Sequence, residues 1–213
     1  MSLNIKTFPV GLYQCNCSII SCDETKEAII IDPGSDAESI IGLVQDQGLK
    51  IKYLLHTHAH LDHFGATASV RQHCCDAEAV LHKADLDLYN KHSWQAAFLQ
   101  LPDCETIEID HFLEDNEIFE FGKGSIQAMF TPGHTPGSSC FTLETSEEQI
   151  VFAGDTLFKG GIGRTDIGGN YNDIEKSIKN RLYTLDGGCR VVPGHGPDTT
   201  IHFEKNNNPY IRA

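Results

Sequence analysis

Between Leu54 and Gly65 the chain reads Leu-Leu-His-Thr-His-Ala-His-Leu-Asp-His-Phe-Gly. His58, His60, Asp62 and His63 fall within six consecutive residues, and imidazole together with carboxylate suits zinc, iron or manganese. The apolar run Ile51 to Leu55 reads as a buried strand, and Gly65 followed by the small and apolar residues Ala66 to Val70 as a helix beyond a sharp loop. On an extended segment His58 and His60 point the same way, being two residues apart. Asp62 and His63 open the helix and aim at a neighbouring point, so the spacing predicts two metals. A lone His-x-His would more simply be a surface loop. Four ligand-type residues in six, between a strand and a helix, favour a metal centre.

Three later stretches set further ligand types at strand ends: Thr131-Pro-Gly-His134-Thr-Pro-Gly137, Phe152-Ala-Gly-Asp155-Thr156 and Val192-Pro-Gly-His195-Gly196. Prolines and glycines make the first a rigid holder for His134, and His195 sits in Pro-Gly-His-Gly-Pro directly after an apolar strand. In this order the motifs resemble those of the metallo-β-lactamase fold hydrolases, and within them the glyoxalase II (hydroxyacylglutathione hydrolase)-like enzymes, particularly a short bacterial form. The resemblance covers nearly the whole chain. It implies a four-layer αββα sandwich within the α/β (α+β) class. It also implies a first metal on His58, His60 and His134, a second on Asp62, His63 and His195, and Asp155 bridging both. The two divalent metals would be zinc, with iron or manganese as alternatives. The implied reaction is hydrolysis of a thioester such as S-lactoylglutathione by a hydroxide shared between the metals, with Asp62 orienting it. Asp32, in the turn Asp-Pro-Gly, would support the metal loop from behind.

The loop Phe158 to Asp166 follows the bridging aspartate, and Arg164 in it can grip a substrate carboxylate with two parallel hydrogen bonds. By resemblance this position contacts glutathione in glyoxalase II and in the related persulfide dioxygenases. The chain departs from full-length glyoxalase II in three places. Only Gly196 to Ala213 follow the last metal histidine, and two family tyrosines are replaced by Phe141 and Asp166. A persulfide dioxygenase with one iron, or a lactonase of the same fold, are the alternative activities. A complete second ligand set favours hydrolysis.

The elements that must position these residues follow from composition and pattern. With 213 residues and 40% hydrophobic content, one domain over residues 1–213 is expected. A net charge of −14 argues against a nucleic-acid surface, and no apolar run suits a membrane span, so the expected partner is a small molecule. No secretory signal is visible, and the eight cysteines lack zinc-ribbon or CxxC spacing, so reduced thiols and a cytoplasmic location are expected. Strands are predicted at Ile5–Val10, Ser18–Cys22, Glu27–Ile31, Ile51–Leu55, Ala79–Leu81, Ile107–Ile109, Glu117–Phe121, Ser125–Phe130, Ser139–Leu143, Gln149–Phe152 and Arg190–Val192. Helices are predicted from Ser35, as cap, through Gln47, from Asp62 to His73, from Asn172 to Leu185 and from Ile201 to Asn207. The segment His82 to Pro102 reads as helical or irregular; Tyr89, Trp94 (the only tryptophan), Phe98 and Leu99 in it are expected to pack into the core, and as an insertion between core strands it could also overhang the site. The remaining histidines, His56, His73, His82, His92, His111 and His202, read as structural or solvent-facing.

Overall fold

The computed structural model describes residues 3–212. In chain order the elements are β1 (Leu3–Val10), β2 (Cys15–Cys22), β3 (Glu27–Ile31), α1 (Ala37–Gln47), β4 (Lys50–Leu55), α2 (Leu61–Phe64), α3 (Thr67–His73), β5 (Glu78–Leu81), α4 (Leu86–Tyr89), α5 (His92–Leu99) and β6 (His111–Phe112). The second half holds β7 (Ile118–Phe121), β8 (Gly124–Phe130), β9 (Ser139–Glu144), β10 (Gln149–Gly154), β11 (Leu157–Phe158), β12 (Gly161–Ile162), α6 (Tyr171–Asn180), β13 (Arg190–Pro193), β14 (Thr199–Thr200) and α7 (Ile201–Asn207).

Two six-stranded sheets result, ordered β1-β2-β3-β4-β5-β6 and β14-β13-β10-β9-β8-β7. Strand periodicity sorts the side chains into layers. In β3, Ile29 and Ile31 point between the sheets with Ile20 and Leu55, against Phe121, Ile126, Phe141 and Phe152. Ala28 and Ile30 point the other way, onto Ile40 and Val44 of α1 and Val70 of α3. In β10 Ile150 and Phe152 face inward, while Val151 and Ala153 meet Ile174 and Ile178 of α6 and Ile201 of α7. The layers run helix, sheet, sheet, helix, as expected.

Three local expectations are corrected. The helix expected from Asp62 to His73 is two helices. Pro33 and Gly34 cross it there: the Ala66 amide donates to the Pro33 carbonyl, and Gly34 lies so close that a Cβ on it would sit 1.7 Å from the Asp62 carbonyl oxygen. The strand expected at Ile107–Ile109 does not form. Its backbone is held by the Tyr89 hydroxyl, and pairing with β5 begins only at His111. Helix α1 starts after Asp36, which adopts a left-handed conformation and accepts a hydrogen bond from the Gly11 amide, so Ser35 is not its cap.

Strand direction explains where the motifs meet. β8 and β10 are both antiparallel to β9, and β10 is parallel to β13, so these three strands run the same way. Their C-terminal ends, with that of β4, open into one crevice, where sheets of this kind usually bind ligands.

Candidate metal centre

The predicted ligands enter the crevice from four strand ends and one short helix. His58 and His60 follow β4, Asp62 and His63 sit on α2, His134 lies between β8 and β9, and Asp155 and His195 follow β10 and β13. The structure brings all seven together. Ligand atoms of His58, His60 and His134 lie within 4.8 Å of one another, as do those of Asp62, His63 and His195, while His58, His63 and Asp155 link the two groups.

Hydrogen bonds on the far side of the rings fix which nitrogens face inward. Nδ1 of His134 lies 2.8 Å from the Arg164 carbonyl and Nδ1 of His195 lies 2.9 Å from the Tyr13 carbonyl. A carbonyl only accepts, so both Nδ1 atoms donate and each Nε2 of the neutral ring carries a lone pair. Nδ1 of His63 likewise faces Asp32, at 2.9 Å. The Thr57 hydroxyl donates to Asp32, so at 3.0 Å it accepts from Nδ1 of His58. Inside the crevice, Nδ1 of His60 is 3.0 Å from Nε2 of His58 and 2.9 Å from Nε2 of His134. Nε2 of His63 is 3.2 Å from Nε2 of His195. Nε2 of His58 and of His134 thus present lone pairs beside Nδ1 of His60, and Nε2 of His63 and His195 converge on a second point, so the nitrogen donor set fits a cation at each.

Asp155 lies between the two groups. Its Oδ1 is 3.4 Å from Nε2 of His63 and 3.7 Å from Nε2 of His195, and its Oδ2 is 3.5 Å from Nε2 of His134. Oδ1 is buried without a hydrogen-bond partner, which a bridging cation contact would satisfy. Gly194 leaves the room: a Cβ there would lie 2.2 Å from this same oxygen.

The electrostatics divide the donors. Burial, with His134 alongside, pushes His60 down to about 3, and burial also holds His58 well below the usual imidazole range, so both stay neutral. Burial opposes charge on Asp62 as well, but His63 and His195 outweigh it and keep the carboxylate below its ordinary value. His195 is raised because Asp62 and Asp155 overcome burial.

Behind the ligands stands a set of buried carboxyl and amide groups. Asp32, expected in that role, is 2% exposed and accepts from the Thr57 amide, the Thr57 hydroxyl and His63. Asp85 and Gln95 were not anticipated. Asp85 accepts from the Ala59 amide, the Thr135 hydroxyl and the Gly137 amide, tying the first metal loop to the one that carries His134. Gln95 accepts from the Leu61 amide and donates to the Ala59 and Leu88 carbonyls. A lone acid and a lone amide in the 82–102 segment carry no spacing signal that would mark them. The N-terminal hairpin also contributes. Besides the Tyr13 carbonyl, Asn16 donates from its amide to the Gly194 carbonyl and from its side chain to the Pro193 and Gly196 carbonyls.

Arg164 lines the cavity over the centre, and its Nε and Nη2 hold Asp166 at 3.0 and 2.8 Å in an exposed bidentate pair. Phe141 is fully buried between the sheets. The other histidines stay outside: His56 is buried between the Val80 carbonyl and the Thr67 hydroxyl, and His111 pairs with Glu117.

The model of the metallo-beta-lactamase superfamily matches residues 10–206. A protein of Haemophilus influenzae named hydroxyacylglutathione hydrolase GloC is 38% identical over 99% of this chain and 99% of that protein. The crystal structure of the BLEG-1 B3 metallo-beta-lactamase superposes with a TM-score of 0.86 at 32% identity, covering 99% of this chain and 100% of that one. That of TTHA1623 in a di-iron-bound form gives 0.84 at 34% identity, covering 97% and 100%.

Proposed function

The chain belongs to the metallo-beta-lactamase superfamily, and from that premise we propose that it is a hydrolase of thioesters, with glutathione-linked acyl groups such as S-lactoylglutathione as the model substrates. We assign His58, His60 and His134 to one divalent cation, Asp62, His63 and His195 to a second, and Asp155 to both. Zinc suits this nitrogen and oxygen donor set, with iron or manganese as alternatives. When bound, the two cations supply a water of lowered pKa and a Lewis acid for the substrate carbonyl.

The chain's own groups do the rest. Asp155 presents one oxygen to each triad and sets their spacing. Asp62, kept ionised by His63 and His195, accepts the hydrogen bond that orients the attacking water. Asp32 and the carbonyls of Tyr13 and Arg164 hold the rings of His63, His195 and His134 in the tautomer that ligates. Arg164 is the cation at the cavity rim and the group we assign to a substrate carboxylate, which must compete with Asp166 for it.

The observation that carries this reading is the second triad, complete and facing the buried, unpartnered oxygen of Asp155. Hydrolysis of a thioester panel by purified protein, with metal content measured on the same sample, tests it. Thioester turnover with close to two metals per chain is expected. One iron, no second metal and oxygen consumption with glutathione persulfide would replace hydrolysis by dioxygenation. Lactone hydrolysis without thioester turnover would make the protein a lactonase. GloC, by its name a hydroxyacylglutathione hydrolase, supports the thioester.

A further inference from the structure

The cavity that His60, Asp62 and Asp155 open into has a second wall whose side chains have no task in the reaction. Tyr13, Leu88, Trp94, Phe98, Leu99 and Ile167 form it, and the cavity as a whole, metal donors included, has a volume of about 200 Å³. Trp94 and Phe98, expected in the core, are instead 54% and 56% exposed, and their rings stack 5.1 Å apart at an interplanar angle of 9°. They sit at i and i+4 on α5, so the helix presents them as one surface.

This surface is anchored. Gln95, between the two aromatics in sequence and 2% exposed, bonds α5 to the backbone of the metal loop at Ala59 and Leu61. The Tyr13 hydroxyl donates to the Leu99 carbonyl at 3.0 Å, which fastens the N-terminal hairpin to the end of the same helix. A flat apolar face is therefore held at a set position beside the metal donors. Trp94 and Phe98 line the cavity on its half-exposed side, so a ring laid on them need not fit the enclosed space over the metal donors. The single cation among the lining residues, Arg164, already faces Asp166.

We infer that Trp94 and Phe98, with Tyr13 and Leu88, form a subsite for an aromatic ring carried by the substrate. Continuity with the metal cavity argues for a substrate group over a second copy of the chain on this face. The inference rests on the thioester reading above and adds to it a preference for thioesters that bear an aryl group. The ring can belong to the acyl group or to the thiol, and the shared chemistry is stacking on a preformed aromatic face.

The test has two arms. In the first, the metal-loaded protein is assayed with S-phenylacetyl-N-acetylcysteamine, with S-acetyl benzyl mercaptan and with S-acetyl-N-acetylcysteamine, which has no ring. One of the two ring-bearing thioesters should exceed the ringless one in kcat/KM, and the one that does identifies the side carrying the ring. Trp94→Ala and Phe98→Ala should each lower that preference about tenfold, the scale of a lost aromatic pair with its buried area. The second arm needs no turnover. Trp94 is the only tryptophan, so its fluorescence reports occupancy directly. Phenylacetate and benzyl mercaptan are titrated against acetate. One aromatic ligand should give a saturable change that acetate does not, and Phe98→Ala should weaken it about tenfold. Saturable aromatic binding without thioester hydrolysis would keep the subsite and remove the thioester reading. Hydrolysis without aryl preference, no saturable fluorescence change, or a Trp94→Ala variant altered only in oligomeric state would overturn the subsite.

Discussion

The carboxylate of Asp85 accepts a 2.7 Å hydrogen bond from the Thr135 hydroxyl, one residue beyond His134, while the same oxygen accepts from the Ala59 amide between His58 and His60. One buried acid thus spans both loops of the first triad, and the Gly137 amide completes its partners. Asp85→Ala would strand three buried donors at about 1–3 kcal/mol each. We expect a loss of at least about 3 kcal/mol, which for a chain of this size lowers Tm by roughly 6–12 °C. Calorimetry checks this. A variant within a degree or two of the parent would show that the loops hold themselves.

Removing the metals tests the centre as a whole. Each site filled at 100 times its Kd contributes about 2.7 kcal/mol to stability, so dialysis against a chelator should lower Tm by several degrees and zinc should restore it. Asp155→Ala should reduce the metal content from two per chain to one or none and abolish hydrolysis. His202→Ala, on a surface helix away from the crevice, should change neither. Elemental analysis of the three proteins settles the comparison.

Gly194→Ala is a narrower probe. The new methyl group would sit 2.2 Å from Oδ1 of Asp155 and 2.8 Å from Cε1 of His63. Asp155 must then turn away from the triads, and the expected result is a folded protein with reduced metal affinity. Circular dichroism like that of the parent, combined with full metal content and full activity, would contradict the bridging geometry.

Arg164 and Asp166 should move in opposite directions. Arg164→Ala should raise KM for S-lactoylglutathione more than it lowers kcat, with roughly a ten- to hundredfold loss in kcat/KM from one charge-assisted contact. Arg164→Lys should recover only part, because an ammonium lacks the planar fork. Asp166→Asn, which weakens the competitor for the guanidinium, should lower KM for the same substrate. Metal content should stay constant throughout, since His134 is held by the Arg164 backbone carbonyl and not by its side chain. If Asp166→Asn raises KM instead, the pair shapes the loop and reads no carboxylate.

The sequence was most legible where chemistry and local structure coincide. His58 to His63, Asp155 and His195 stand at the ends of apolar strands or opening a helix, so their types and their positions were read together, and they converge in space. The αββα layering followed from the family resemblance and agrees with the alternation in β3 and β10. What stayed hidden acts across distance. Asp85 reaches partners 26 to 52 residues away, mostly backbone amides, and such contacts leave no period in the sequence. Ile107 and Ile109 alternate like a strand, yet the Tyr89 hydroxyl holds both the amide and the carbonyl of Ile107. Phe141, which stands where the resemblance would place a tyrosine, belongs to the inter-sheet core and does not line the cavity over the metal donors.

The clasp of the N-terminal hairpin on the loop carrying His195 closes a long circuit of chain. The side chain of Asn16 and the carbonyl of Tyr13 meet partners 177 to 182 residues away in sequence. Contacts of such separation gain nothing until the intervening chain has been brought together, so they form late in folding. In refolding followed by hydrogen exchange, the Asn16 amide, which donates to the Gly194 carbonyl, should therefore become protected after the amides of the local β8–β9 hairpin.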